Sequence, residues 1–292
     1  MIYAKKFILP SDNAEAAVIS AEQRTCFTSF YPFKIFPQKL LRSVEFDNIT
    51  MLYGGNGSGK STLINVIAQK MQAVRFSDFN DSPFFDEYVN RCSVDYLRVP
   101  PKSYVLSSDD VFDYVLNARA VNEKIDDRRE ALIDKYIETH REAETNPKIS
   151  WLRGLNDYDR WKETRDILSK NRSQSWYIKS RVPRDIDLYS NGQTAMRYFL
   201  DRIDEDAIYL LDEPENSLSI EYQIQLAEYI EATVRSTNSQ FIIATHSPIL
   251  LSMAGATVYN LDECPVRKCN WTELPNVRKY FDFFMKHKDD FN

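Results

Sequence analysis

The sequence predicts an α/β fold, a mostly parallel sheet flanked by helices and carrying an inserted helical subdomain. Three observations predict it. Short apolar, β-branched runs recur along the chain with helix-favouring segments between them. A glycine-rich stretch, GGNGSGKST from Gly54 to Thr62, joins one of those runs to a helical one. From about Asp110 to Asp185 the composition turns charge-rich and helix-favouring, as an insertion would. The expected parts are therefore 1–109, an N-terminal lobe with the glycine-rich loop, 110–185, a helical insertion, and 186–292, the remainder of the core.

In order, residues 3–9 and Ser43 to Phe46 read as strands, Ile49 to Tyr53 as the strand before the loop, and Thr62 to Ala68 as the helix after it. Lys102 to Leu106 reads as a further strand. Within the insertion, Glu123–Arg141 and Asp157–Lys170 read as helices. Strand signals return at Ala207–Leu211, Gln240–Ala244 and Thr257–Asn260, with helices expected at Thr194–Arg202, Ser219–Arg235 and Asn276–Asp289.

The 292 residues are 43% hydrophobic and 27% charged, ordinary for a globular protein that buries one large core or two modest ones. A net charge of −6 argues against adhesion to nucleic acid or anionic membranes except through a local basic patch. No apolar run approaches the roughly 20 residues that span a bilayer, and MIYAKKFILPSDN has too short an apolar core for a signal peptide, so no membrane partner is expected. Cys26, Cys92, Cys264 and Cys269 lack the close pairing of a disulfide framework and read as free thiols. That suits a reducing, cytoplasmic setting.

Gly54-x-x-x-x-Gly59-Lys60-Ser61 meets the P-loop pattern at every fixed position, between a strand and a helix as the pattern requires. Gly54, Gly55, Asn56, Gly57, Ser58 and Gly59 form a loop whose backbone N–H groups can face phosphate oxygens. The helix starting near Lys60, Ser61 and Thr62 adds its positive end. Lys60 is expected on the β- and γ-phosphates and Ser61 on Mg²⁺. Four of the chain's seven glycines lie in this loop, which a mere turn before a helix would not need.

A phosphate loop alone does not hydrolyse its ligand. IYLLDEPENSL supplies the acids: Asp212 at the end of a buried strand is a Mg²⁺ ligand, and Glu213, one residue on, can polarise the attacking water. The pair also reads as a helix cap with Pro214 in the first turn. FIIATHSPILL is a second buried strand, and His246 at its exit can hydrogen-bond a γ-phosphate oxygen, although alone it would read as a loop residue.

P-loop, then YSNGQ, then LLDEPE, then ATHSP is the motif order of ABC-type ATPases, which the chain resembles. Its nearer resemblance, carried by YPFKIF, VEFDNITMLYGGNGSGKSTLINVIA, SQFIIATHSPILLSMAGATVYNLDE and VRKYFDFFMKHKDDF, is to stand-alone bacterial ABC/SMC-like ATPases with an AAA/ABC-like domain related to the ATPase half of OLD-family proteins. It covers roughly 30–72 and 186–292 and leaves the middle uncovered. The resemblance implies an ATPase using ATP and Mg²⁺. It also implies that Ser190, Gly192 and Gln193, the signature residues, complete the nucleotide site of a second copy, giving a homodimer with composite sites. From the residues alone, SNGQ reads equally as a polar turn capping the next helix.

The sequence departs from that pattern where Leu106-Ser107-Ser108-Asp109-Asp110 stands in place of a glutamine; Asp109 is the substitute at hand. The insertion is too short for a long coiled coil, and no second acidic metal cluster suggests a nuclease in this chain. Between Lys148 and Arg184, ten Lys/Arg face four acids, interleaved with Trp151, Trp161 and Trp176. This suits a nucleic-acid backbone or a partner surface, or equally a small subdomain with tryptophans in its own core. The expected function is an ATP-dimerised switch acting in DNA transactions or phage defence through a nuclease or toxin partner. The alternative is the ATPase subunit of a membrane transporter, which a clear glutamine loop would have favoured.

Overall fold

A computed structural model describes residues 2–23, 26–145, 158–169, 173–183, 191–203 and 205–291. The chain divides into two compact units, 1–113 with 190–292 and 114–189.

The first unit opens with β1 (Ala4–Ile8) and α1 (Asp12–Ala21), whose N-cap Ser11 accepts from the Ala14 N–H. β2 (Ser43–Glu45), β3 (Ile49–Tyr53), α2 (Lys60–Lys70), α3 (Phe85–Arg91), β4 (Ser93–Tyr96) and β5 (Ser103–Ser107) follow. α4 (Ser108–Thr145) is a continuous 38-residue helix that begins in the first unit and ends in the second. The second unit continues with α5 (Tyr158–Leu168) and α6 (Gln174–Lys179). α7 (Asn191–Leu200), β6 (Ile208–Asp212), α8 (Ile220–Ser236), β7 (Gln240–Thr245), α9 (Pro248–Leu251), β8 (Thr257–Asn260), β9 (Arg267–Cys269) and α10 (Pro275–Lys286) complete the first unit.

The main sheet has six strands in the order β5-β6-β7-β3-β8-β9. All neighbours are parallel except β8 and β9, which bears out the expected mostly parallel, helix-flanked α/β architecture. β3 and β7 are buried at every position and β6 at all but its last, so they lie covered on both faces as central parallel strands do. A separate antiparallel sheet, β2-β1-β4, was not foreseen. β1 and β2 match strands expected from the sequence, whereas the residues of β4 are exposed or half-buried and carry no core signal. Leu52, Leu63, Ile64, Ile67, Leu210 and Ile242 join the two layers into one core with Phe7, Phe36 and Tyr88.

Two boundaries differ from the sequence expectation. The helix expected at Glu123–Arg141 is part of α4 and starts at Ser108, because Ser107 and Asp110 cap it reciprocally. The Ser107 N–H donates to Asp110 Oδ2 at 2.6 Å, and the Asp110 N–H to Ser107 Oγ at 3.1 Å. α7 opens at Asn191 rather than Thr194, which puts Gly192 and Gln193 inside its first turn.

In the second unit, Ile167, Tyr177 and Ile178 pack with Leu132, Ile133 and Tyr136. The Tyr177 hydroxyl and Lys135 both bond Glu163, at 2.9 and 2.6 Å. Of the basic stretch, Lys148, Arg153, Lys170, Arg172 and Arg184 lie outside the described residues, as does Trp151. Trp176 is 43% exposed and contributes nothing to the small core. Arg181 is held by Asp166 at 3.0 Å and stacks 4.2 Å from the Tyr177 ring; Arg165 lies over Trp161. Among the described residues no helix is long and apolar enough to cross a membrane.

Candidate nucleotide-binding site

Parallel pairing sets the site. Tyr53 of β3 lies opposite Thr245 of β7 and Asn260 of β8, and Asp212 of β6 lies opposite Ala244, so the carboxyl ends of four adjacent strands meet along one edge. The loop Gly54–Gly59 leaves β3 at that edge, and α2 starts from it with Gly59 as N-cap. Gly59 has φ +92°, a left-handed backbone that glycine adopts freely. At Gly54 a Cβ would stand 2.4 Å from Ser58 Oγ, so that position needs glycine for space. Ser58 is buried with its N–H on the Gly55 carbonyl at 3.1 Å, whereas Asn56 and Gly57 are exposed at the tip.

Lys60 is 4% exposed, and its ammonium is fully engaged within the loop. It donates to the carbonyls of Gly54 at 2.8 Å and Gly55 at 3.2 Å and pairs with Glu213 Oε1 at 3.1 Å. Glu213 reaches it from an unusual backbone, φ 47° and ψ 51°, immediately before Pro214. A non-glycine residue in that region stores strain on the order of 1–3 kcal/mol, and such strain clusters where a side chain must be aimed. Its N–H bonds the Ala244 carbonyl at 2.9 Å, and the Asn216 amide donates to Oε2 at 2.9 Å. Burial acts to raise the Glu213 carboxyl, but the Lys60 ammonium outweighs it and holds the group below the usual carboxylate range.

Asp212 behaves oppositely. Desolvation pushes its carboxyl up to about 6, although the Ser61 hydroxyl donates to Oδ1 at 3.1 Å. A carboxylate penalised by burial next to a serine hydroxyl is a hard-oxygen donor set, and it fits a divalent cation that keeps several waters.

Thr245 and His246 are organised by Glu215, a residue the sequence reading passed over. Its buried Oε1 accepts from the Thr245 hydroxyl at 2.7 Å and the His246 N–H at 2.7 Å, with His246 Nδ1 at 3.2 Å. The imidazole is thereby fixed through Nδ1 while 43% of the side chain stays exposed. Replacing Glu215 by Leu strands the Thr245 hydroxyl and the His246 N–H, at a cost of about 2–4 kcal/mol. A fall in Tm of roughly 4–12 °C is expected in thermal unfolding, with Gln at this position recovering part of it.

Three further groups close the site. Asp262, just beyond β8, takes the Gly55 N–H with both oxygens, at 3.0 and 2.9 Å. The Tyr31 hydroxyl donates to Thr62 Oγ1 at 3.1 Å, and Ile35 abuts Gly59, so the YPFKIF stretch walls the loop. At the place of the expected glutamine, Asp109 is exposed and Asp110 is buried as the α4 cap, and the nearby Arg75 donates to Asn65 at 2.8 Å.

Lys60, Ser61, Asp212, Glu213 and His246 are thus brought together. Ser190 lies outside the described residues. A Cβ at Gly192 would meet the Tyr222 ring of α8 at 3.0 Å, so close helix packing is one reason for glycine there. Among the described residues no cluster of three or more His, Cys, Asp or Glu forms a separate metal site.

Two family models match the chain: "ABC transporter" over residues 39–216 and "AAA ATPase domain" over residues 194–251. No curated protein matches. Similar solved structures include the Smc head domain with an extended coiled coil bound to the C-terminal domain of ScpA, from Pyrococcus furiosus, at 13% identity and a TM-score of 0.40 over 99% of this chain and 100% of that one. The SMC head domain from Thermotoga maritima has 13% identity and a TM-score of 0.40 over 92% and 99%. Stu0660 of Streptococcus thermophilus has 13% identity and a TM-score of 0.40 over 77% and 72%.

Proposed function

This chain belongs to the ABC-type ATPase family, and from that premise we propose that it hydrolyses MgATP at the β3–β6–β7 edge, in a site that a second copy completes. The observation carrying the proposal is the 3.1 Å pair between Lys60 and Glu213, which joins the phosphate-loop lysine to the carboxylate best placed to orient water. Each engages the other. Incoming phosphates offer Lys60 a stronger set of acceptors than two carbonyls and a carboxylate. Glu213, released, accepts a hydrogen bond from the attacking water, and His246, fixed by Glu215, presents its other nitrogen to a γ-phosphate oxygen. Ser61 and Asp212 would hold Mg²⁺, which when bound neutralises charge developing on the phosphates. Gly192 and Gln193, in the first turn of α7, act on the nucleotide of the second copy through the helix N-terminus, together with Ser190, which precedes them in the sequence.

Dimer closure is the mechanical output, and the 114–189 unit is the part through which it is delivered to a partner. We favour DNA transactions or defence against phage, with a nuclease or toxin as partner and nucleic acid contacted through 148–184. The match to the ABC transporter model keeps the transporter-subunit reading as the second choice. ATP turnover per mole of chain, measured against protein concentration with and without duplex DNA, tests these points. A composite site predicts a specific activity that rises with concentration, and DNA contact predicts stimulation lost in Arg160→Glu/Lys162→Glu/Arg165→Glu at matched salt. Concentration-independent turnover contradicts the second copy, and indifference to DNA contradicts the nucleic-acid role.

A further inference from the structure

The Gly54–Gly55 peptide is the only one in the phosphate loop with glycine on both sides. Turning such a peptide over changes ψ of the first glycine and φ of the second together, and glycine tolerates either sense of φ. This peptide is nonetheless held at both ends. Its carbonyl, from Gly54, accepts from Lys60 Nζ at 2.8 Å, and its N–H, from Gly55, donates to both oxygens of Asp262, at 3.0 and 2.9 Å. A cation therefore faces the negative end of the peptide dipole and an anion the positive end, and a flipped peptide would reverse both contacts. The next carbonyl, that of Gly55, also accepts from Lys60, at 3.2 Å, so the setting of this peptide also sets the ammonium.

Asp262 is itself placed by the sheet. Tyr53 lies opposite Asn260 in the pairing of β3 with β8, and two residues beyond each, Gly55 meets Asp262. The Leu261 N–H bonds the Tyr53 carbonyl at 2.8 Å, the Asp262 N–H bonds Oδ1 of the buried Asn260 at 3.0 Å, and Lys39 donates to the Leu261 carbonyl at 2.5 Å. The carboxylate thus reaches the loop from a turn that three separate bonds hold. It comes from the β8 side of β3, whereas Asp212 ends β6 on the other side, beyond β7, so its charge serves the loop and not the Ser61–Asp212 pair.

We propose that Asp262 is a positioning residue for ATP: it holds the Gly54–Gly55 peptide, and through it Lys60, in the orientation that receives the phosphates. Asp262 has this role only if the loop is the ATP site proposed above. A loop with a freely flipping peptide must order it on binding, which is subtracted from affinity, whereas a loop already held loses less. Once ATP is bound the phosphates themselves hold the loop, and Glu213 reaches Lys60 from the end of β6 without Asp262. The effect therefore falls on KM and not on kcat.

Titration with a non-hydrolysable ATP analogue, steady-state kinetics and thermal unfolding of three variants test it. Asp262→Ala is expected to raise Kd and KM about tenfold, as the loss of one charge-assisted hydrogen bond implies. Its kcat should stay within about twofold of the parent, and its Tm close to the parent's because Asp262 is exposed. Asp262→Asn keeps an acceptor for the Gly55 N–H and should recover most of the affinity. The third variant adds Gly55→Ala to Asp262→Ala. Gly55 is not at positive φ, and a Cβ there meets only the Asp262 oxygens, at 3.8 and 3.9 Å, so alanine fits the observed peptide and disfavours the flipped one. It should tighten binding by about two- to fivefold relative to Asp262→Ala alone. An unchanged Kd in Asp262→Ala, or a joint fall of kcat and Tm with KM unmoved, overturns the role while leaving ATP binding by the parent intact. So does a double variant that recovers nothing, because the carboxylate would then act by something other than the peptide's orientation. A parent that binds no ATP analogue removes the proposed ATP site and this role with it.

Discussion

Lys60→Ala is expected to abolish ATP turnover and to weaken ATP binding by about ten- to several-hundredfold, with the fold retained. The ammonium supplies charge-assisted bonds to phosphate oxygens worth about 1.5–3 kcal/mol each in a site walled from water. The same ammonium also compensates the Gly54 and Gly55 carbonyls and Glu213. Its removal leaves Glu213 without its cation, and the held-down Glu213 carboxyl should rise, because burial, the largest influence on it, is then opposed only by the Asn216 amide and by His246. The loop itself survives, since Gly59 caps α2 through its backbone and Asp262 grips the Gly55 N–H independently of Lys60. Isothermal titration with a non-hydrolysable ATP analogue, beside phosphate release, checks both parts.

Glu213→Gln is expected to slow hydrolysis by about 10²–10⁴-fold while ATP binds as tightly as in the parent or more so. The amide keeps the size and the Asn216 contact but cannot take a proton from water. It also loses the charge that pairs with Lys60, so phosphates meet less competition. Opposite movements of affinity and turnover distinguish this role from a structural one, in which both would fall.

The parts of this site that lie close together in sequence were legible from it. GGNGSGKST, LLDEPE and ATHSP each place their chemistry at a strand exit, and short buried runs such as Ile208–Leu211 and Phe241–Ala244, four apolar residues each, mark those strands. What escaped depends on which strands are neighbours. Asp262 reaches Gly55 across 207 positions because β8 lies beside β3, an adjacency no local pattern encodes. Glu215 looks like one more acid in a turn until β6 and β7 are adjacent and Thr245 and His246 stand beside it. The Ser107–Asp110 capping box was visible in principle, as a serine three residues before an acid. A second serine and a second aspartate, Ser108 and Asp109, offer the same residue types one position away, so the local pattern alone does not single out the capping pair. The left-handed backbone at Glu213 has no sequence signal, since neither glutamate nor a following proline favours positive φ; it accompanies the contact with Lys60 across the end of β6.

The central claim is a nucleotide site completed by a second copy, and the most direct measurement is the sedimenting mass of Glu213→Gln with and without MgATP. The account predicts a monomer without nucleotide and a dimer with MgATP, and a return to monomer, with ATP still bound, when Ser190→Arg is added. A mass that ATP leaves unchanged, or an ATP-dependent dimer indifferent to Ser190→Arg, would contradict it.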